Sequence, residues 1–194
     1  TRPLRRRARG DGMAPDPGAP AAPERESDMS DQTSAEIIRA AEDFIASHRR
    51  AYLRSGGAEG HIMDTTHAGG LPFGTHCLIR YRGRKSGKTY IAPLCYGDVG
   101  GEVAIIGSKG GADHHPDWYL NLVAAPEVDF QIATQAYRAT WREAQGAERD
   151  KVYAMMTDNF PFFDNYRKAT SRPIPVVLMK PVEPIAVFSE ADLR

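Results

Sequence analysis

Two glycine-bounded loops hold most of the residues that could do chemistry. The first is Gly83-Arg84-Lys85-Ser86-Gly87. Glycines let backbone N–H groups approach an anion closely. Arg84 adds a planar fork of donors, Lys85 a point charge and Ser86 a hydroxyl. The set suits a phosphate or a carboxylate. It lacks P-loop spacing and no helix follows it, which disfavours a nucleoside triphosphate. The second loop, Gly107-Ser108-Lys109-Gly110-Gly111, sits between an apolar strand and a helix. Lys109 again suits an anion, and Ser108 can hydrogen-bond a carbonyl or a ring nitrogen. Two such loops in one small domain point to a ligand with a polyanionic tail.

The charge pattern agrees. From Thr65 through Gly97 there is no carboxylate, while Arg80, Arg82, Arg84, Lys85 and Lys88 all fall in that stretch. A merely solvated face mixes signs. Over the whole chain 25 basic residues balance 25 acidic ones, which argues against a generic nucleic-acid binder. No run approaches the roughly 18 apolar residues of a membrane span. Two cysteines in 194 residues exclude a disulfide scaffold and a four-cysteine zinc site.

Other candidates resolve into plainer roles. Asp113-His114-His115 has no third cluster at ligand spacing, so no metal is expected and His115 reads as a helix start. Cys77 and Cys95 sit in strand patterns, where a small buried hydrophobe is the usual meaning. Trp118 and Trp141 fit a core. Thr170-Ser171-Arg172 before Pro173 reads as positioning the last strand, with lid closure by Arg172 as the other reading.

The elements that must carry these loops follow from periodicity. Residues 1–32 hold Pro3, Pro15, Pro17, Pro20 and Pro23 and no aromatic residue. They read as a disordered Pro/Arg-rich extension, tipped by Arg2, Arg5, Arg6, Arg7 and Arg9, with Met13 and Met29 as alternative starts. Residues 33–194 read as one domain. Thr33 and Glu36 have capping-box spacing, and Ile37, Ala41, Phe44, Ile45 and Tyr52 recur at helical spacing until Gly56 and Gly57. This amphipathic helix packs on its own domain, or alternatively lies on a membrane surface. Strands are predicted over Gly74–Tyr81, Tyr90–Tyr96, Val103–Ile106, Val128–Ile132, Tyr137–Trp141 and Ile174–Met179, the last with a possible extension over Ile185–Phe188. Helices are predicted from His115 to Pro126 and over Glu148–Asn159. Short strands joined by tight turns, with two inserted helices, give an α+β fold built on an antiparallel barrel or sandwich.

The ordered set of motifs resembles the deazaflavin-dependent nitroreductase family, actinobacterial reductases that use coenzyme F420. The stretches are GRKSG at Gly83–Gly87, PL at Pro93–Leu94, SKGG at Ser108–Gly111, HPDWYLNL at His115–Leu122, ERD at Glu148–Asp150 and SRPIPVV at Ser171–Val177. The likeness runs from about Tyr52 to Pro181. It implies a split antiparallel β-barrel of the flavin-binding, pyridoxamine-phosphate-oxidase-like type. It implies that Arg84, Lys85 and Ser86 hold the phosphate and acidic tail of the coenzyme. Tyr90, Ile91, Ala92, Pro93, Leu94 and Cys95 would line the deazaflavin, with Ile106, Gly107, Ser108 and Lys109 at its opposite edge. Trp118 and Asn121 would complete the pocket. Phe160, Phe163 and Tyr166 would cover the acceptor.

Two departures stand out. The family often carries Arg where this chain has Tyr90, so one tail contact is lost or passes to Lys88. The lid positions that are tyrosines in the family's nitroimidazole-activating member are Phe160, Phe163 and Tyr166 here, and only Tyr166 keeps a hydroxyl. The resemblance implies hydride transfer from the reduced coenzyme to a quinone, enone or nitroaromatic, with Tyr166, Ser108 or water supplying the proton. A flavin-mononucleotide oxidoreductase on the same barrel, or a non-catalytic deazaflavin-binding module, are the alternatives. A cytoplasmic protein is expected, with peripheral contact at the inner face of the membrane and the oligomeric state both open.

Overall fold

The computed structural model describes residues 26–125 and 127–193, with side chains from residue 39 onward. Contacts divide the chain after Ala40. Before that point the described residues form only the start of helix α1 (Glu26–Arg54); residues 41–194 form the barrel domain. The helix begins seven residues ahead of the predicted Thr33. The predicted Thr33–Glu36 capping box falls outside the described side chains, as does the extension before residue 26.

The barrel is closed by strands β2 (Gly74–Arg82), β3 (Thr89–Val99), β4 (Glu102–Ile106), β5 (Glu127–Ile132), β6 (Gln135–Glu143) and β7 (Val176–Ile185). All pairings are antiparallel, in the order β2-β3-β4-β7-β6-β5, and β5 returns to β2. A short β1 (Ile62–Met63) adds to the free end of β2. The β3–β4 hairpin turns on Gly100 and Gly101, at φ +63° and +90°. Two consecutive positive φ values match the twist of a two-residue hairpin, which side chains with a Cβ resist.

Strand alternation decides what lies inside. Cys77 and Ile79 of β2, Val103 and Ile105 of β4, Val128 and Phe130 of β5, Ala139 of β6, and Val177 and Met179 of β7 fill the barrel. Helix α2 (Asp117–Val123) adds Trp118 and Leu122 to the same cluster. The outward-facing residues make two further cores. Tyr52 and Leu53 of α1 cover Leu78, Ile91 and Ala136 together with Phe188. Helices α3 (Gly146–Asn159) and α4 (Phe162–Ala169) cover Ala104, Ile106, Val176 and Leu178. Each fully buried Leu, Ile or Phe contributes on the order of 2 kcal/mol.

Two predicted elements are corrected. Three helices, not two, are inserted between strands, because the stretch after Pro161 forms α4. Its phenylalanines, Phe162 and Phe163, turn into the α3 core. The last strand starts at Val176 and continues through Pro181 and Pro184 instead of stopping at Met179. Beyond Met179 it pairs only with β6, so one edge is unpaired and proline costs no ladder bond there.

Candidate active site

Two cavities flank α2, both bordered by β3. The polar one, of about 390 Å³, is lined by Tyr81, Gly83, Arg84, Lys85, Ser86, Tyr90, Asp117 and Asn121. Its floor is the β2–β3 loop, closed by Gly83 N–H to Lys88 O at 2.9 Å and Gly87 N–H to Gly83 O at 2.8 Å. A Cβ on Gly83 would meet Ser86 Oγ at 2.6 Å and the Tyr90 ring at 2.7 Å, so a larger residue there would displace two of the cradle's own side chains. Asn121 Oδ1 accepts both the Arg84 backbone N–H and Arg84 Nη1, each at 3.0 Å. One amide of α2 thus sets both the backbone and the guanidinium of the cradle.

The structure refines the charge reading. Asp117 brings a carboxylate into a cleft whose own sequence stretch has none. Arg80 does not join the cradle: it bonds Asp129 at 2.8 Å and Asp192 at 2.7 Å and lies 4.5 Å from the Phe188 ring centroid. Arg82 lines a separate cleft with Thr89 and Arg138. Lys88 is not among the lining residues of either cavity at α2. Tyr90, in the family's arginine position, stacks on Tyr81 at 5.8 Å and holds its hydroxyl 3.2 Å from Ser86 Oγ. Burial pushes the Tyr81 phenol up to about 12, with Asp117 adding to the effect, so that wall stays uncharged.

The second cavity, of about 260 Å³, is a mainly apolar slot. Pro93, Leu94 and Cys95 of β3 form one wall. Ile106, Ser108, Lys109 and Gly110 form another. Trp118 and Pro116 close the α2 side, and Phe162, Phe163 and Tyr166 of α4 cover it. Lys109 holds φ +49°, a left-handed conformation unusual for a side-chain-bearing residue, and Gly110 and Gly111 follow at +64° and +83°. Strain of this kind clusters at functional sites. Among the described residues the Ser108 hydroxyl has no partner.

Predicted site residues divide accordingly. Arg84, Lys85, Ser86, Tyr90 and Asn121 meet in the cradle, and Pro93, Leu94, Cys95, Ile106, Ser108, Lys109, Trp118, Phe163 and Tyr166 meet in the slot. Ile91, Ala92, Gly107 and Phe160 line neither. Ile91 is packed beneath α1, Ala92 points toward the barrel interior and Phe160 is buried in the α3–α4 core. Ile91 and Ala92 face opposite sides of β3, one under α1 and the other into the barrel, and the strand borders the slot only from Pro93 onward. Gly107 sits against Pro175, whose Cγ a Cβ there would meet at 2.6 Å.

The slot also contains residues that motif matching missed. Phe44, Ile45 and His48 come from α1, His76 from β2 and Phe162 from α4. His76 pairs across the ladder with Cys95, and its Nε2 lies 3.4 Å from Cys95 Sγ. Its Nδ1 lies 3.0 Å from Gly74 O, an acceptor, which fixes the tautomer: Nδ1–H donates and Nε2 accepts from the thiol. Burial, with His48 beside it, lowers the imidazole to about 4. Burial raises the Cys95 thiol to about 12. Both are neutral near pH 7, so the pair is a hydrogen-bonded wall and not an activated nucleophile. Burial, and then Cys95, raise the Tyr166 phenol, which therefore keeps its proton. The signal for His76 was present in the sequence: it shares the strand phase of Leu78 and Arg80, opposite Cys77 and Ile79.

Comparison with known proteins fits this geometry. The model of the F420H(2)-dependent quinone reductase family matches residues 46–181. An F420H(2)-dependent quinone reductase of Mycobacterium tuberculosis is 30% identical over 70% of this chain and 89% of its own length. A solved F420-H2 dependent reductase is 34% identical, covering 54% of this chain and 93% of its own, with a TM-score of 0.51. A second solved structure, described as a domain-swapped dimer, is 30% identical, covers 72% of this chain and 99% of its own, and has a TM-score of 0.53.

Proposed function

The chain belongs to the F420H(2)-dependent quinone reductase family, and from that premise we propose that it passes a hydride from the reduced deazaflavin coenzyme to a flat conjugated acceptor of quinone type. The observation that carries this reading is the junction at α2: a cationic cleft and an apolar slot share its first turns, Asp117 facing one and Trp118 the other.

The residues fit both ends of such a coenzyme. Arg84, Lys85, Ser86 and the Tyr90 hydroxyl offer donors to a phosphate and an acidic tail. Pro93, Leu94, Ile106 and Trp118 offer apolar surface to a flat ring, and Ser108 and Lys109 place donors at one edge. When bound, the coenzyme supplies the hydride; the chain supplies position and electrostatics.

The chain's own residues do the rest. Phe162 and Phe163 exclude water from the slot, where hydrogen bonds act more strongly than in bulk solvent. Tyr166 and Ser108 hold hydroxyl protons at its edge. Either can donate to the oxygen of the reduced acceptor as negative charge develops there. The phenylalanines leave Tyr166 as the lid phenol, which favours quinones over acceptors needing several hydroxyl contacts. Exposed Phe44 and Ile45 at the rim suit an acceptor drawn from an apolar phase, a point that sedimentation with phospholipid vesicles checks.

Parallel titration with the deazaflavin and flavin mononucleotide tests the coenzyme assignment. Micromolar binding of the deazaflavin is expected. Binding of flavin mononucleotide alone would move the chain to the other coenzyme, and binding without quinone turnover would make it a carrier.

A further inference from the structure

Arg172 lies between α4 and β7 and does not close the lid. Its guanidinium sits under the second glycine loop. Nη2 donates to Ser108 O at 2.6 Å and to Gly107 O at 3.1 Å, and Nε donates to Ala112 O at 2.7 Å. Nη1 lies 3.2 Å from His115 Nδ1, which must accept.

The consequence is geometric. No peptide bond in the described chain is cis, and in a trans peptide the C=O and N–H point in opposite directions. Gathering the Gly107 and Ser108 carbonyls onto one guanidinium turns the N–H groups of Ser108 and Lys109 the other way. Neither N–H has an acceptor among the described residues. Ser108 and Lys109 both line the apolar slot. Left alone, the loop would relax, since Lys109 is held at φ +49°. The carbonyl clamp opposes that relaxation.

We propose that Arg172 is a positioning residue: by clamping the carbonyls of Gly107, Ser108 and Ala112 it presents the Ser108 and Lys109 N–H groups as a paired donor site for a carbonyl-type oxygen of the ligand in the slot. The identity of that oxygen, on the deazaflavin edge, rests on the proposed function; the clamp itself does not. Backbone donors held in this way need no reorganisation when charge develops on the oxygen they face.

Hydrogen exchange of the free protein and equilibrium titration with oxidised coenzyme F420, followed by fluorescence, test this in Arg172→Ala and Arg172→Lys. A lysine keeps the charge but presents one compact ammonium, which cannot span three carbonyls as the planar fork does. Both variants should exchange the Gly111 and Ala112 amides, which bond the Ser108 and Lys109 carbonyls, faster than wild type, and their coenzyme affinity should fall roughly tenfold or more. Millimolar guanidinium ion should restore part of the affinity of Arg172→Ala and none of that of an unrelated cradle variant, Lys85→Ala. The loop amides decide the matter. Exchange unchanged from wild type in Arg172→Lys overturns the proposal, and this variant suffices if Arg172→Ala does not fold. Wild-type protein that binds no deazaflavin would overturn the proposed function while leaving the exchange comparison to judge the clamp.

Discussion

Lowering the pH from about 7 to about 4.5 is expected to destabilise the barrel domain through His76. The imidazole is 8% exposed and is surrounded by His48 of α1, Cys95 of β3 and the Phe160 ring, with the His61 ring on its backbone carbonyl. Burial moves it from 6.5 to about 4. In the unfolded chain the same group takes a proton below about 6.5. Between those values the unfolded state binds more protons, so stability falls as the pH falls, and the loss is complete below about 4. Each pH unit of that gap corresponds to about 1.36 kcal/mol, giving about 3 kcal/mol in full. About 2 kcal/mol of it falls between pH 7 and 4.5. Urea unfolding across that range, in wild type and in His76→Gln, isolates the effect because the carboxylates and His48 titrate in both. The wild-type curve should fall about 2 kcal/mol further than that of the variant. Parallel curves would show that His76 is not held neutral by its burial, and the tautomer assigned to the Cys95 pair would fall with it.

Three further outcomes follow from the site. Lys85→Ala should weaken coenzyme binding by roughly 1.5–3 kcal/mol, the usual loss for a hydrogen bond to a charged group, as read by equilibrium titration. Tyr166→Phe should lower the rate of quinone reduction by about a hundredfold or more if its phenol is the proton donor, with the coenzyme dissociation constant unchanged; an unaltered rate would assign the proton to Ser108 or to water. Gly111→Ala should cost about 1–3 kcal/mol in thermal or urea unfolding, because the new Cβ would meet Ala169 Cβ at 2.8 Å and the Tyr166 carbonyl at 3.0 Å, on a residue already at φ +83°.

The barrel was legible because its hairpins announce themselves locally. Thr75, Cys77, Ile79 and Tyr81 alternate, Gly83 and Gly87 bound one turn, and Gly100–Gly101 makes the next. The cradle was legible for the same reason, since Arg84, Lys85 and Ser86 are adjacent in sequence. What sequence reading missed depends on contacts between distant segments. Arg172 reaches a loop about sixty residues away, and nothing in Ser171-Arg172-Pro173 names its partners. Asp117 enters the cleft because Trp118 and Leu122 anchor α2 on the barrel and Asn121 joins it to Arg84. Phe160 was expected at the lid, but α4 begins only after Pro161: Phe160 is buried in the core, while Phe162 borders both the core and the slot. Ile91 and Ala92 fell outside the site because β3 meets the cradle at Tyr90 and the slot only from Pro93 onward, and between them α1 covers Ile91 while Ala92 turns into the barrel.

The chain couples the reduced deazaflavin to a quinone-type acceptor. Rapid mixing of the protein with reduced coenzyme F420 and a water-soluble naphthoquinone, with coenzyme reoxidation followed by its absorbance, tests it most directly. Reoxidation is expected well above the uncatalysed rate, saturating in quinone and yielding one hydroquinone per coenzyme oxidised. Reoxidation no faster than in buffer, by protein shown to bind the coenzyme, would contradict it.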